Sequence, residues 1–156
     1  MTPLDEKFMK AALREAEKAY AKDEVPIGAV AVTEGKIVAR AHNIRELTQD
    51  PLGHAEILLL KKLSRKLGSW RLPNLTIYVT LEPCLMCMGA LLQARIHRLV
   101  FGVMDPKAGA CGSLYDLSRD LRLNHRFQTT KGVLAADCLK ILKAFFVQRR
   151  RARALK

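Results

Sequence analysis

Five short runs rich in β-branched and aliphatic residues punctuate this 156-residue chain, and after the second run helical segments separate them. Ile27–Thr33 and Lys36–His42 flank Glu34-Gly35, a turn-forming pair, and read as a β-hairpin. Leu75–Thr80, Arg98–Val103 and Arg126–Lys131 supply the later strands. Helical patterns lie between them at His54–Leu67, stopped by Gly68, and at Cys84–Ala94. Strands joined by crossover helices run parallel, and such crossovers are right-handed. The pattern confines the chain to an α/β fold: a mixed sheet, partly parallel, with helices on both faces.

The two ends of the chain extend this frame. Thr2 is a suitable N-cap, Pro3 fits the first helical position, and Asp5 gives capping-box spacing. Phe8, Ala11, Ala12, Ala16 and Ala19 then recur at helical intervals to about Ala21. Ser113 with Asp116 can cap a short helix, and a long helix runs from about Leu134 into the tail. There is no internal repeat, low-complexity stretch or linker. Residues 1–156 therefore read as one domain, with a basic C-terminal helix or tail at about 140–156.

Charge narrows the partners. Lys and Arg total 27 against 15 Asp and Glu, a formal net charge of +12. Seven of those cations, and no acid, fall between Lys140 and Lys156; a second acid-free run holds Lys61, Lys62, Arg65, Lys66 and Arg71. Such an excess fits a polyanionic partner, nucleic acid foremost, although a solvated basic surface gives the same numbers. No stretch approaches the ~18 apolar residues of a membrane span. Asp5 and Glu6 near the start, with no apolar core beside them, speak against a secretory leader. The four cysteines are then reduced thiols, metal ligands or core residues, and the expected compartment is the cytoplasm.

Chemistry concentrates in three segments: Asn43 and its loop, His54-Ala55-Glu56, and Pro83-Cys84-Leu85-Met86-Cys87. Cys84 and Cys87, three apart at a helix start, share one face. The partial positive charge there favours thiolate, the form that binds metal. A redox pair gives the same spacing, but its usual place is after the first strand of a βαβ unit, and here the motif follows the third strand. His54 opens another helix, with Glu56 two residues on. The two can reach one cleft only if a metal sits off the helix end, because i and i+2 diverge within a helix. Three protein ligands suit a catalytic zinc, which keeps one position for water and lowers the pKa of that water to about 7. Glu56 is then the proton carrier; the plainer alternative is a surface carboxylate in an ion pair.

The zinc nucleobase deaminases carry H-x-E followed by P-C-x-x-C, and His54-Ala55-Glu56 with Pro83-Cys84-Leu85-Met86-Cys87 resembles that signature. Glu24–Val30, Ala41-His42-Asn43, Val79–Glu82, Arg98–Gly102, Asp105–Ser113 and the terminal Phe145-Phe146 with its arginines are similar to the bacterial tRNA-specific adenosine deaminases. The resemblance runs from the first helix to about Arg151. It implies a three-layer, cytidine-deaminase-like fold with a five-stranded sheet. It also implies one Zn2+ per subunit on His54, Cys84 and Cys87, and proton transfer by Glu56. The implied reaction is hydrolytic deamination of adenosine to inosine at wobble position 34, on the anticodon stem-loop of tRNA, by a homodimer. Asn43 resembles the residue that hydrogen-bonds the base, and Asp105 and Lys107 fall in the loop that meets flipped-out nucleotides. Arg149 to Arg153 would meet phosphates, and Phe145 or Phe146 would present a ring to a base. Asn43 and Asp105-Pro106 read equally as turn residues, and either phenylalanine as core. Leu52-Gly53, where the family more often has Thr-Ala, and Cys111 depart from the pattern.

Two rivals remain open at this level. One is a deaminase of a free base such as guanine or cytosine, for which the basic helix has no use. The other is a non-enzymatic RNA-binding module in which Cys111 closes a structural zinc site, leaving Glu56 unexplained.

Overall fold

Thr2 and Asp5 close the capping box that starts the first helix. The Asp5 N–H donates to the Thr2 hydroxyl at 3.2 Å, and the Thr2 N–H donates to the Asp5 carboxylate at 3.1 Å. This computed structural model describes residues 2–155; Lys156, the last cation of the basic tail, lies outside the described residues. The elements run α1 (Pro3–Ala21), β1 (Gly28–Thr33), β2 (Lys36–His42), α2 (Arg45–Thr48), α3 (Ala55–Leu67), β3 (Thr76–Leu81), α4 (Leu85–Gln93), β4 (Arg98–Val103), β5 (Gln128–Lys131) and α5 (Ala135–Ala154).

The five strands form one sheet in the order β2-β1-β3-β4-β5. β1 is antiparallel to β2 and β3, whereas β3, β4 and β5 run parallel. Glu34 and Gly35 take φ of 49° and 72° at the β1–β2 hairpin, the twist-matched turn their types favour. Strand alternation sorts the core into two layers. Val30, Val32, Tyr78 and Val100 point toward Phe8, Met9 and Ala12 of α1 and Cys138 of α5. Ala29, Ala31, Ile77, Val79, Leu99 and Phe101 point toward Leu59 and Leu63 of α3 and Met88 and Leu91 of α4. Gly28 lets α1 lie directly on β1, since a Cβ there would strike the Ala12 carbonyl and the Ala16 nitrogen. Helices thus cover both faces, as the sequence predicts.

Local details add to this frame. The one-turn helix α2 has no hydrophobic periodicity to announce it. The 104–127 crossover from β4 to β5 contains only a single 3-10 turn, Leu117–Arg119. Asp116 caps that turn through the Ser118 N–H, while Ser113 turns away to Glu82. The helix expected from about Leu134 into the basic tail is present: α5 continues through Arg153 to Ala154.

Candidate metal centre and its cleft

α3 and α4 begin beside one another where β3 and β4 end, the edge at which open α/β sheets place their ligands. His54 and Cys84 are the N-cap residues of these helices, in extended conformation at φ −83° and −76°. An extended N-cap swings its side chain off the helix axis, which resolves the divergence of His54 and Glu56 within a helix. His54 Nδ1 lies 3.6 Å from Cys84 Sγ and 3.5 Å from Cys87 Sγ. All three ligand atoms fall within 4.8 Å of one another. A tetrahedron with metal–sulfur bonds of about 2.3 Å and metal–nitrogen bonds of about 2.0–2.1 Å has N···S edges near 3.6 Å. One imidazole and two sulfurs at this spacing can hold a metal ion. Cys111 is not part of the group: it is buried, and its backbone N–H donates to Glu82 at 2.9 Å.

The electrostatics make Cys84 the thiolate of the pair. The Cys87 thiol and His54, both hydrogen-bonded to Cys84, hold its sulfur as thiolate with a pKa of about 4. Cys87 is pushed up, by that same bond to Cys84 and by burial. Glu56 is 4% exposed, and burial pushes its carboxyl up to about 7. Among the described residues it has no ion pair, so the surface-carboxylate alternative falls.

The site opens into a cavity of 670 Å³. One wall carries Asn43 and Arg45, the other Asp105, Pro106 and Lys107, and Phe146 of α5 closes one end. Asn43 is buried in a turn, donating to the Val25 carbonyl at 3.2 Å and accepting from the Arg45 N–H at 3.1 Å. One amide N–H and one lone pair remain for a base. Asp105 accepts the N–H groups of Lys107 at 3.0 Å and Ala108 at 3.3 Å, which sets the turn that lifts Lys107 to the rim.

Two buried acids at the cleft have no assigned role in the sequence reading. Glu24 accepts the N–H of Glu46 at 2.9 and 3.0 Å and caps α2 from 22 residues away. Glu82 accepts the N–H groups of Asp105, Cys111 and Ser113 and the Ser113 hydroxyl. Burial alone would raise the Glu82 pKa, but the Ser113 hydroxyl and these amides lower it. A glutamate closing an apolar strand just before the cysteine pair is the only sequence signal for it.

α5 corrects one expectation and qualifies another. Phe145 is 2% exposed, stacked edge-on against Tyr20 at 5.9 Å, so it is core and presents no ring. Phe146, one position on, is 45% exposed at the cleft. Arg149 lies over the Phe145 ring at 5.1 Å and donates to the Asp23 carbonyl at 3.4 Å, so its guanidinium is partly committed within the protein. It still lines a groove of 780 Å³ with Arg45, Lys107, Lys143, Arg150 and Arg153. Arg150 and Arg153 have no acidic partner among the described residues.

A model of the MafB19-like deaminase family matches residues 4–150. Fold and site together therefore define a deaminase domain. A tRNA-specific adenosine deaminase from Bacillus subtilis is 49% identical over 147 residues, 94% of this chain and 91% of that protein. A solved structure from a study of A-to-I editing by tRNA:A34 deaminases at the wobble position of transfer RNA superposes with a TM-score of 0.84. It is 41% identical and covers 87% of this chain and 99% of that chain. The chain belongs to the tRNA-specific adenosine deaminase family. A guanine deaminase structure from Bacillus subtilis matches at TM-score 0.62 and 33% identity, over 67% of this chain and 66% of that chain.

Proposed function

We propose that this protein deaminates adenosine 34 of tRNA to inosine, with one Zn2+ per subunit held by His54, Cys84 and Cys87. The observation that carries the reading is a buried carboxylate, Glu56, beside a three-ligand set that leaves a fourth position open to the cleft. Zinc bound there would supply Lewis acidity and an acidified water at neutral pH. Water adds at C6 of adenine and ammonia leaves. Glu56 takes the proton from the attacking water and returns one to the departing nitrogen. Asn43 offers its free amide N–H and lone pair to the base edge. Lys107, Phe146, Arg149, Arg150 and Arg153 grip the flanking nucleotides of the anticodon loop.

The groove of α5 favours RNA over a free base. It continues from the cleft past Lys107 and Lys143 to Arg153, and a small neutral purine needs no such field. The structural-zinc alternative lacks support for a fourth ligand, because Cys111 is not among the side chains gathered with His54, Cys84 and Cys87. No helix among the described residues is long and apolar enough to cross a membrane. A tRNA substrate supports a cytoplasmic enzyme, and one continuous five-stranded sheet supports a single domain. A homodimer is supported by an apolar groove between α3 and α4, where Trp70 is 56% exposed. The test is an inosine assay on tRNA and an anticodon stem-loop beside free adenosine, guanine and cytosine. Faster turnover of a free base would overturn the assignment.

A further inference from the structure

Glu82 and Glu24 take no part in the chemistry above, yet they are 2% and 1% exposed. Neither has a cation partner among the described residues. A buried carboxylate without a cation is tolerated only when hydrogen-bond donors converge on it, and here the donors come from the two lips of the cleft. The Asp105 N–H reaches Glu82 at 2.9 Å, the Cys111 N–H at 2.9 Å and the Ser113 N–H at 3.0 Å, with the Ser113 hydroxyl beside them. Both ends of the 105–113 segment are thus tied to a single carboxyl group. A Cβ on Gly109 would collide with that group, so the segment wraps it closely. Across the cleft, Glu24 accepts the N–H of Glu46 at 2.9 and 3.0 Å and that of Leu47 at 3.3 Å. It fixes the turn that brings Asn43 and Arg45 to the opposite wall.

We propose that Glu82 and Glu24 are positioning residues that hold the two lips of the cleft at the separation RNA requires. They govern how tightly the nucleotides around the target are gripped, while the rate at which a captured base reacts is set elsewhere. The inference rests on the RNA-deaminase reading for its substrate. Its mechanical part stands on the hydrogen bonds alone. Glutamine cannot replace either residue, because one amide oxygen has half the acceptor capacity and the amide NH2 would face backbone N–H donors.

Glu82→Gln and Glu24→Gln, with Ser113→Ala as a milder variant that removes one donor, provide the test. Amide hydrogen exchange and stem-loop kinetics are read on the metal-loaded protein. In Glu82→Gln, exchange at Asp105, Cys111 and Ser113 should accelerate about tenfold or more, with α4 protection unchanged, as loss of a charge-assisted bond requires. KM for an anticodon stem-loop should rise about tenfold while kcat stays within about threefold. Glu24→Gln should do the same, with exchange rising at Glu46 and Leu47. Ser113→Ala should shift KM in the same direction by a smaller factor, and it decides the matter if Glu82→Gln fails to fold. Unchanged exchange at these amides, or a kcat loss at constant KM, overturns the proposal. If wild-type protein deaminates no RNA, the substrate reading fails, and exchange still decides whether the clamps exist.

Discussion

The Asp5 carboxylate and the Arg98 guanidinium meet in a two-point ion pair, 2.9 Å at each contact, that fastens α1 to β4. The Tyr78 hydroxyl donates to the same carboxylate at 2.8 Å, and Arg98 reaches on to the Thr130 hydroxyl at 2.8 Å. One residue of the first turn therefore touches β3 directly and β5 through Arg98. Arg98, chiefly by hydrogen bonding, holds the Asp5 carboxyl down at about 2 despite its burial. A depressed carboxylate stabilises the fold above its unfolded pKa near 4 and stops doing so as pH falls through 2. The linkage amounts to about 2 kcal/mol. Denaturant titrations from pH 5 to pH 2 should show that loss in the wild type. In Asp5→Asn the deficit against wild type should shrink by the same amount over this range. A constant deficit would show that the pair contributes nothing through its charge.

Glu56 separates catalysis from metal binding. Glu56→Ala should retain one zinc per chain by elemental analysis while deamination falls about 10²- to 10⁴-fold, the range for a lost proton carrier. Parallel loss of zinc and activity would make Glu56 a support for the ligands instead.

These site residues were legible in the sequence because each is local to a helix start. His54 and Cys84 each open a helical pattern in the sequence, and the structure makes each the N-cap, one position before Ala55 and Leu85. Strand positions were legible from β-branched runs whose alternating faces the structure sorts into two layers. What escaped depends on distant contacts. α2 is held by Glu24, which lies 22 residues before Glu46 and receives the N–H groups of Glu46 and Leu47. Ser113 has the composition of a cap and instead bonds a carboxylate 31 residues away. Phe145 and Phe146 have the same chemistry and differ by about 100° around one helix; only docking of α5 on Tyr20 decides which is core.

Cys111 tests whether the metal site is open. Cys111→Ser should leave zinc occupancy unchanged, whereas Cys84→Ser and Cys87→Ser should each lower it sharply. The cost of Cys111→Ser should appear as stability, about 1–3 kcal/mol for a hydroxyl placed in a buried thiol's position. A fall in zinc occupancy would mean that Cys111 closes the coordination shell and that the site is structural.

The neighbouring phenylalanines should part company. Phe145→Ala should destabilise the fold by about 3–5 kcal/mol, as for other buried rings, measured by chemical denaturation. Phe146→Ala should change stability little and weaken stem-loop binding by about 1–3 kcal/mol, the worth of one ring stacked on a base. Equal binding losses in both variants, at unchanged stability, would contradict the burial of Phe145.

The arginines of α5 should differ in kind as well as amount. Arg150 and Arg153 are exposed along the groove, whereas Arg149 is engaged with Asp23 and the Phe145 ring. A contact to phosphate releases condensed counterions, so each one removed should flatten the slope of log affinity against log salt by about 0.7–0.9. Stem-loop titrations at several salt concentrations should show that flattening in Arg150→Ala and Arg153→Ala, with melting temperature unchanged. Arg149→Ala should lower the melting temperature, because it also strips the cation from the Phe145 face. Its slope should change by less than that of the other two variants. If all three flatten the slope equally at constant stability, Arg149 leaves Asp23 on binding and joins the phosphate track.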